Sequence, residues 1–148
     1  MPQLIIFVVC YFIGAIPVGF IAARICGVDI FKVGSGSTGS PNVIRACGPK
    51  WGLAVLILDI LKGTLATYLG LTFFTHNPWL IILCGITALL GHSYSVFIGF
   101  KGGKSAATGI GIILALDWRI FLIVGLLTII IRQLSGYQSL ATLIAAGL

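Results

Sequence analysis

Leu4-Ile5-Ile6-Phe7-Val8-Val9-Cys10-Tyr11-Phe12-Ile13-Gly14-Ala15-Ile16-Pro17-Val18-Gly19-Phe20-Ile21-Ala22-Ala23 decides the fold class. No charged side chain interrupts it, and a helix of about 20 apolar residues is what crosses a hydrocarbon core. Gly14, Pro17 and Gly19 fall inside the run; spanning helices tolerate such residues where neighbours satisfy the freed backbone groups. No basic segment precedes the run, so it reads as a retained first helix and not as a cleaved signal. Residues 53–74 form a second run of spanning length. Residues 79–98 form a third, opened by Asn77-Pro78 and the interfacial Trp79.

Composition agrees with the runs. Of 148 residues, 59% are apolar and 8% charged, and the mean hydropathy is +1.17. Soluble domains are about 45–50% apolar and about 25% charged. A soluble enzyme and a disordered chain are both excluded, and residues 1–148 read as a single integral-membrane domain with no room for a separate soluble one. Nine Lys and Arg stand against three acidic residues, a net charge of +6. Cys10, Cys26, Cys47 and Cys84 form no C-x-x-C pair, which predicts free thiols and no metal site.

Residues 105–116 and 118–131 are each too short to span. Asp117 and Arg119 between them would be expensive at mid-bilayer, so two short helices with a turn at Asp117 are expected, not one long helix. Residues 140–148 begin another apolar run too short to cross, which predicts a C-terminal continuation. The expected fold is an all-α polytopic membrane helix bundle of about five membrane helices plus the start of a sixth. Positive charge sets its orientation. Arg24, Lys32, Arg45, Lys50, Lys101, Lys104 and Arg132 lie in or beside residues 24–52, 99–104 and 132–139, whereas residues 75–78 hold no Lys or Arg. The basic loops are therefore expected in the cytoplasm.

Two loops could carry chemistry. In the first, Gly34, Gly36 and Gly39 spell G-x-G-x-x-G. A membrane helix precedes it and not a strand, so a dinucleotide site is rejected. A Gly/Ser-rich loop still exposes N–H groups and hydroxyls that cradle phosphate. With Ser35, Ser37, Pro41, Asn42 and Arg45 it reads as an anion site, the alternative being a flexible linker. In the second, Gly103-Lys104-Ser105 resembles the end of a Walker A loop, but Ile98 occupies a required glycine position and ATP binding is rejected. Lys101, Gly102, Gly103 and Lys104 precede a helix start at Ser105, where backbone N–H groups and partial positive charge favour phosphate. The alternative is two lysines that only anchor the loop.

His92 reads as a phosphate contact, a general base or a hydrogen-bonded helix histidine. Asp59 and Lys62 share one helix face inside the second run, as a structural pair or the lining of a polar cavity. The only carboxylates are Asp29, Asp59 and Asp117, none within either loop. Phe97 stands where a His-x4-Asp acyltransferase motif needs its acid, so no Ser–His–Asp set is visible. Such a basic, glycine-rich site suits phosphorylated substrates, acting by placement and charge neutralisation.

Gly14-Ala15-Ile16-Pro17-Val18-Gly19, residues 34–45, Asp59-Ile60-Leu61-Lys62-Gly63, and residues 91–108 in that order resemble the PlsY family of bacterial acyl-phosphate:glycerol-3-phosphate acyltransferases. The resemblance runs from end to end. It implies seven membrane helices, no metal or nucleotide cofactor, and transfer of a fatty acyl group from acyl phosphate to the 1-hydroxyl of glycerol 3-phosphate. The products would be lysophosphatidic acid and phosphate, in phospholipid synthesis at the bacterial inner membrane. The implied partners are these two substrates and membrane lipids, with no nucleic acid. By position, the resemblance gives Ser35, Arg45, Lys104 and His92 catalytic roles. It gives Gly34, Gly36, Ser37, Gly39, Asn42, Lys101, Gly102, Gly103 and Ser105 substrate binding. Ser37 stands where the family commonly has Asn, and Ser40-Pro41 where it has Ala-Thr or Ser-Thr; Pro41 loses an N–H donor and a hydroxyl. The family's third motif, a C-terminal helix with His, Asn and Glu, is absent from these residues. A truncated inactive homologue and a small membrane anion-binding or transport protein are the alternative readings. A transporter would more often carry polar residues through the mid-bilayer, and here they crowd at one face.

Overall fold

The computed structural model describes residues 2–135. Its first crossing segment is a broken helix. α1 (Pro2–Ala15) stops before Pro17, which has no N–H to continue the ladder, and α2 (Val18–Ile25) resumes at once. The carbonyls freed by the break find partners elsewhere in the bundle: Ser95 Oγ donates to Ala15 O at 2.5 Å, and Lys62 Nζ donates to Ile16 O at 3.2 Å. A 3-10 turn at Ile30–Lys32 leads to α3 (Ser40–Cys47), a short helix inside what the sequence reads only as a loop. Gly48, at φ 89°, turns the chain into α4 (Pro49–Phe73), which begins with a proline in its first turn.

Asn77 caps α5 (Pro78–Ser93), its Oδ1 accepting from Leu80 N–H at 3.3 Å. The helix ends five residues earlier than the apolar run 79–98 suggests. Tyr94 leaves helical geometry, Ser95 turns inward to Ala15, and a 3-10 turn follows at Val96–Ile98. α6 (Ala106–Leu116) and α7 (Trp118–Ser135) are separate helices, as expected, with α7 longer than the apolar run predicts. The turn is at Asp117, whose Oδ1 accepts from Arg119 N–H at 2.7 Å. The expected sixth span at residues 140–148 lies outside the described residues.

The helices approach closely through glycines. A side chain at Gly14 would run into Ala88 O, and one at Gly91 into Tyr11 O, so α1 and α5 meet backbone to backbone. Gly63 against Thr108 and Gly111 against Ile60 do the same for α4 and α6. Small residues at helix crossings are how membrane bundles gain packing contacts. Cys10, Ala66, Cys84 and Ala88 fill one core; Ala23, Ile30, Val43 and Val55 fill a second, under α3.

Gln3–Ile25 and Pro49–Phe73 are long and apolar enough to cross a membrane, and only 22% and 39% of their most apolar windows are buried in the protein. The outward faces carry Leu4, Ile21, Leu61, Leu65 and Ile123 exposed. Each is about half exposed and would forfeit about half of the roughly 1.5–3 kcal/mol that full burial of such a side chain supplies. The surface therefore belongs against lipid. α5 and α6, at 16 and 11 residues, are shorter.

Candidate active site

α2 and α4 leave and enter the first loop at the same end of the bundle where α5 and α6 leave and enter the second. The two loops touch: Thr38 N–H donates to Gly102 O at 3.4 Å. Lys101 Nζ lies 5.1 Å from the centre of the Phe31 ring, a second tie between them.

The first loop is organised around Asn42, which is 1% exposed on α3. The two hydrogens of its Nδ2 are shared among Ile30 O at 3.3 Å, Val33 O at 3.0 Å and Ser37 O at 2.9 Å. Its Oδ1 accepts from Ser35 N–H at 3.1 Å. All of these partners lie in the loop, so Asn42 shapes it. Gly34 and Gly36 hold φ of 56° and 65°, a region that disfavours side chains. At Gly34 a side chain would also run into Asn42 Oδ1. Ser37 Oγ accepts from Gly39 N–H at 3.2 Å, and the Gly39 carbonyl accepts from Asn42 and Val43 at the start of α3. Pro41 sits in the first turn of α3, where a missing N–H leaves no helix bond unmade. Ser40 Oγ donates to Gly52 O at 2.7 Å and ties α3 to α4.

Arg45 lies on α3 beside Gly34; a Cβ added there would be 3.8 Å from Arg45 Cδ. Arg45 and Ser35 are both exposed. Lys104 is exposed in the second loop, and neither Arg45 nor Lys104 makes an ion pair among the described residues.

The second loop folds back onto the end of α5. Gly103 N–H donates to His92 O at 3.2 Å, and Ser95 N–H donates to Lys101 O at 3.2 Å. A side chain at Gly102 would collide with the His92 carbonyl, and one at Gly103 with His92 Nε2. Both glycines are thus required by close approach, and Nε2 faces the loop. Ser105 adopts φ 56° and spends its hydroxyl internally: Ser105 Oγ donates to Leu89 O at 2.9 Å and lies 2.6 Å from Ser93 Oγ. Ser105 therefore ties the loop to α5.

Behind the loops lies a buried polar cluster. Lys62 Nζ is 2.8 Å from Asp59 Oδ1, the expected i,i+3 pair. His92 Nδ1 is 3.5 Å from the same oxygen. All three side chains are at least 94% buried. The sequence gives His92 no carboxylate nearby; the fold supplies Asp59 from α4. The hint in the sequence was the cost of Asp59 and Lys62 within a membrane helix, but which third group they face is a tertiary fact.

Residues 4–148 match the family model described as glycerol-3-phosphate acyltransferase. The chain belongs to the glycerol-3-phosphate acyltransferase family. A curated glycerol-3-phosphate acyltransferase from Nostoc sp. is 42% identical over 93% of this chain and 69% of its own length. A crystal structure of PlsY (YgiH), an integral membrane glycerol 3-phosphate acyltransferase in its glycerol 3-phosphate form, superposes with a TM-score of 0.93 at 37% identity. It covers 98% of this chain, which spans 72% of that one. The lysophosphatidic acid form of PlsY gives 0.90 at 36% identity over the same shares. The acyltransferase fold and its membrane setting are thus those of this chain.

Proposed function

We propose that the protein transfers a fatty acyl group from acyl phosphate to the 1-hydroxyl of glycerol 3-phosphate, releasing lysophosphatidic acid and phosphate. One observation carries the reading. The two glycine loops are joined at Thr38 and Gly102, and each presents an exposed cation, Arg45 and Lys104, without an acidic partner among the described residues. Two phosphorylated substrates need two such places, and charge-assisted hydrogen bonds to phosphate are the strong ones. The neighbouring solved forms hold glycerol 3-phosphate and lysophosphatidic acid, an acceptor and a product of this reaction. An apolar groove of about 410 Å³ between the α1–α2 break and α4, lined by Ile16, Ile21, Leu58 and Leu65, offers a fatty chain a place open to the lipid.

The chemistry follows from the donor. Acyl phosphate is already activated, so no covalent acyl-enzyme is needed. The glycerol 3-phosphate hydroxyl oxygen attacks the acyl carbonyl carbon, the carbon–oxygen bond to phosphate breaks, and phosphate leaves with the electron pair. The hydroxyl proton goes to His92 or to a substrate phosphate oxygen. Arg45, Lys104 and the backbone of residues 34–39 hold the phosphates and offset the developing charge. Gly34, Gly36, Gly39, Gly102 and Gly103 let the backbone approach, while Ser35, Ser37 and Lys101 line the rim.

The site faces the cytoplasm at the inner membrane of a bacterium. The basic loops and the uncharged turn at residues 75–78 support that orientation. Initial-rate kinetics with both substrates test the chemistry: a sequential pattern is expected, and a stable acylated Ser35 or Ser37 formed from acyl phosphate alone would contradict it. A cysteine at Thr75 in a cysteine-free background should react with an impermeant reagent outside intact cells; reaction at Ser37→Cys instead would reverse the topology.

A further inference from the structure

The turn between α5 and the second glycine loop has an apolar outer surface. No charged residue stands between Ser93 and Phe100. Tyr94, Val96, Phe97 and Phe100 are all exposed, Phe100 at 64%. The Phe97 ring lies 6.0 Å from that of Phe12, an exposed residue of α1, so the lipid-facing side of the first crossing segment continues into the turn. The backbone of the turn is closed on itself. The N–H groups of Tyr94, Ser95, Ile98 and Phe100 donate to Leu90 O, Lys101 O, Ser95 O and Ser95 O, at distances between 2.8 and 3.3 Å. Gly99 and Phe100 hold φ of 69° and 59°, and the second is a conformation a bulky residue rarely adopts. Two side-chain bonds fasten the turn to α1: Tyr11 Oη donates to Tyr94 O at 2.7 Å, and Ser95 Oγ donates to Ala15 O. Ala15 stands well before Ile25, where the first crossing segment ends. The turn is therefore tied to a part of that segment inside the membrane and not to its end.

We propose that residues 94–100 form a lipid-facing wedge at the boundary between head groups and acyl chains, on the side of the glycine loops, with the Phe97 and Phe100 rings seated in the lipid. Aromatic side chains are favoured at that boundary. Backbone there loses water, so its donors need partners within the protein, and those of the turn have them. Lys101 and Lys104 follow at once, cations suited to the level of the lipid phosphates. A turn facing the cytoplasm would need neither the aromatic surface nor the continuity with Phe12. The wedge rests on the membrane setting alone. Its use rests on the acyl-transfer reading: it fixes residues 102–104 at the depth where a donor held in lipid by its acyl chain presents its carbonyl and phosphate.

Photocrosslinking of the full chain in nanodiscs of phosphatidylethanolamine and phosphatidylglycerol tests the wedge. Phe97→benzoylphenylalanine and Phe100→benzoylphenylalanine, irradiated separately, should each give lipid adducts by mass spectrometry. The yield should be comparable with that of Leu61→benzoylphenylalanine, an exposed position on α4, and well above that of Lys32→benzoylphenylalanine, exposed in the first loop. Cross-links mainly to a second copy or to another segment of the chain, or lipid yields no greater than at Lys32, overturn the proposal. Phe97→Asn/Phe100→Asn leaves the glycines and cations of the loop in place. It should lower turnover at saturating substrates by up to about 100-fold, the cost of a displacement of about 1 Å at a reacting group. Unchanged turnover in that variant would refute the hold of the wedge on the loop. Lipid adducts at both positions together with no acyl transfer from any donor would uphold the wedge and defeat the function proposed above.

Discussion

Replacing Gly103 by alanine tests whether the second glycine loop works through His92. The added Cβ would collide with Nε2 and sit 3.0 Å from Cε1 and 3.1 Å from Cδ2. Carbon contacts are most favourable near 3.5–4.0 Å, so the ring must retreat by a sizeable fraction of an ångström or more. His92 is 6% exposed and wedged between Asp59 and the loop, so it has nowhere free to go. Overpacking of this kind costs about 1–3 kcal/mol of stability. A misplacement of about 1 Å at a reacting group costs about 100-fold in rate. The assay is mass-spectrometric detection of lysophosphatidic acid at saturating acyl phosphate and glycerol 3-phosphate, alongside thermal unfolding in detergent. His92→Ala should itself lower turnover and at the same time make room for the methyl. Gly103→Ala/His92→Ala should then turn over no more slowly than His92→Ala, with a coupling energy of about 0.5–3 kcal/mol in stability. Gly102→Ala is the contrast: its Cβ meets the His92 and Ser93 carbonyls, which His92→Ala does not remove. Wild-type turnover in Gly103→Ala, or strictly additive losses with His92→Ala, would refute the reasoning.

Arg45→Ala and Lys104→Ala should each remove most acyl transfer while leaving the melting temperature near that of the parent, since both cations are exposed and without ion pairs; Arg45→Lys should recover only part, because a bidentate fork is lost. Asn42→Ala should instead act on the fold, lowering stability by about 2–3 kcal/mol in thermal or denaturant unfolding, because its four loop hydrogen bonds vanish together. Burial, with the Cys26 thiol alongside, pushes the Cys47 thiol from 9.0 up to about 11. Only the thiolate is nucleophilic, so at about pH 8 Cys47 should be alkylated about 100-fold more slowly than an ordinary exposed cysteine. Its rate should climb as pH rises toward that value, which mass-spectrometric tracking of the Cys47 adduct in the full chain, with Cys26 left in place, would report.

What could be read in advance was whatever is written along one dimension. The apolar runs gave the crossing segments, Asn77-Pro78 the start of α5, and the expense of Asp117 and Arg119 at mid-bilayer the turn between α6 and α7. The glycines and cations of both loops were visible as phosphate-favouring chemistry before any contact was known. What escaped was tertiary. α3 is only eight residues and is not apolar overall, and its helix is held by Asn42 and Ser40 reaching other segments. α5 stops at Ser93 although the sequence stays apolar, because Ser95 is drawn to a carbonyl on α1. That the Asn42 and Ser105 side chains also tie their loops together is visible only from their partners. The approach of Asp59 to His92 depends on how α4 and α5 pack, which no spacing within either helix encodes.

The central claim is that acyl phosphate donates its acyl group directly to glycerol 3-phosphate at this site. The most direct measurement uses acyl phosphate carrying ¹⁸O in the bridging position between carbon and phosphorus, incubated with the full chain in lipid nanodiscs and glycerol 3-phosphate. Attack at the acyl carbon breaks the carbon–oxygen bond, so the account predicts unlabelled lysophosphatidic acid and released phosphate carrying the ¹⁸O. Failure to form lysophosphatidic acid, or ¹⁸O retained in the acyl product, would contradict it.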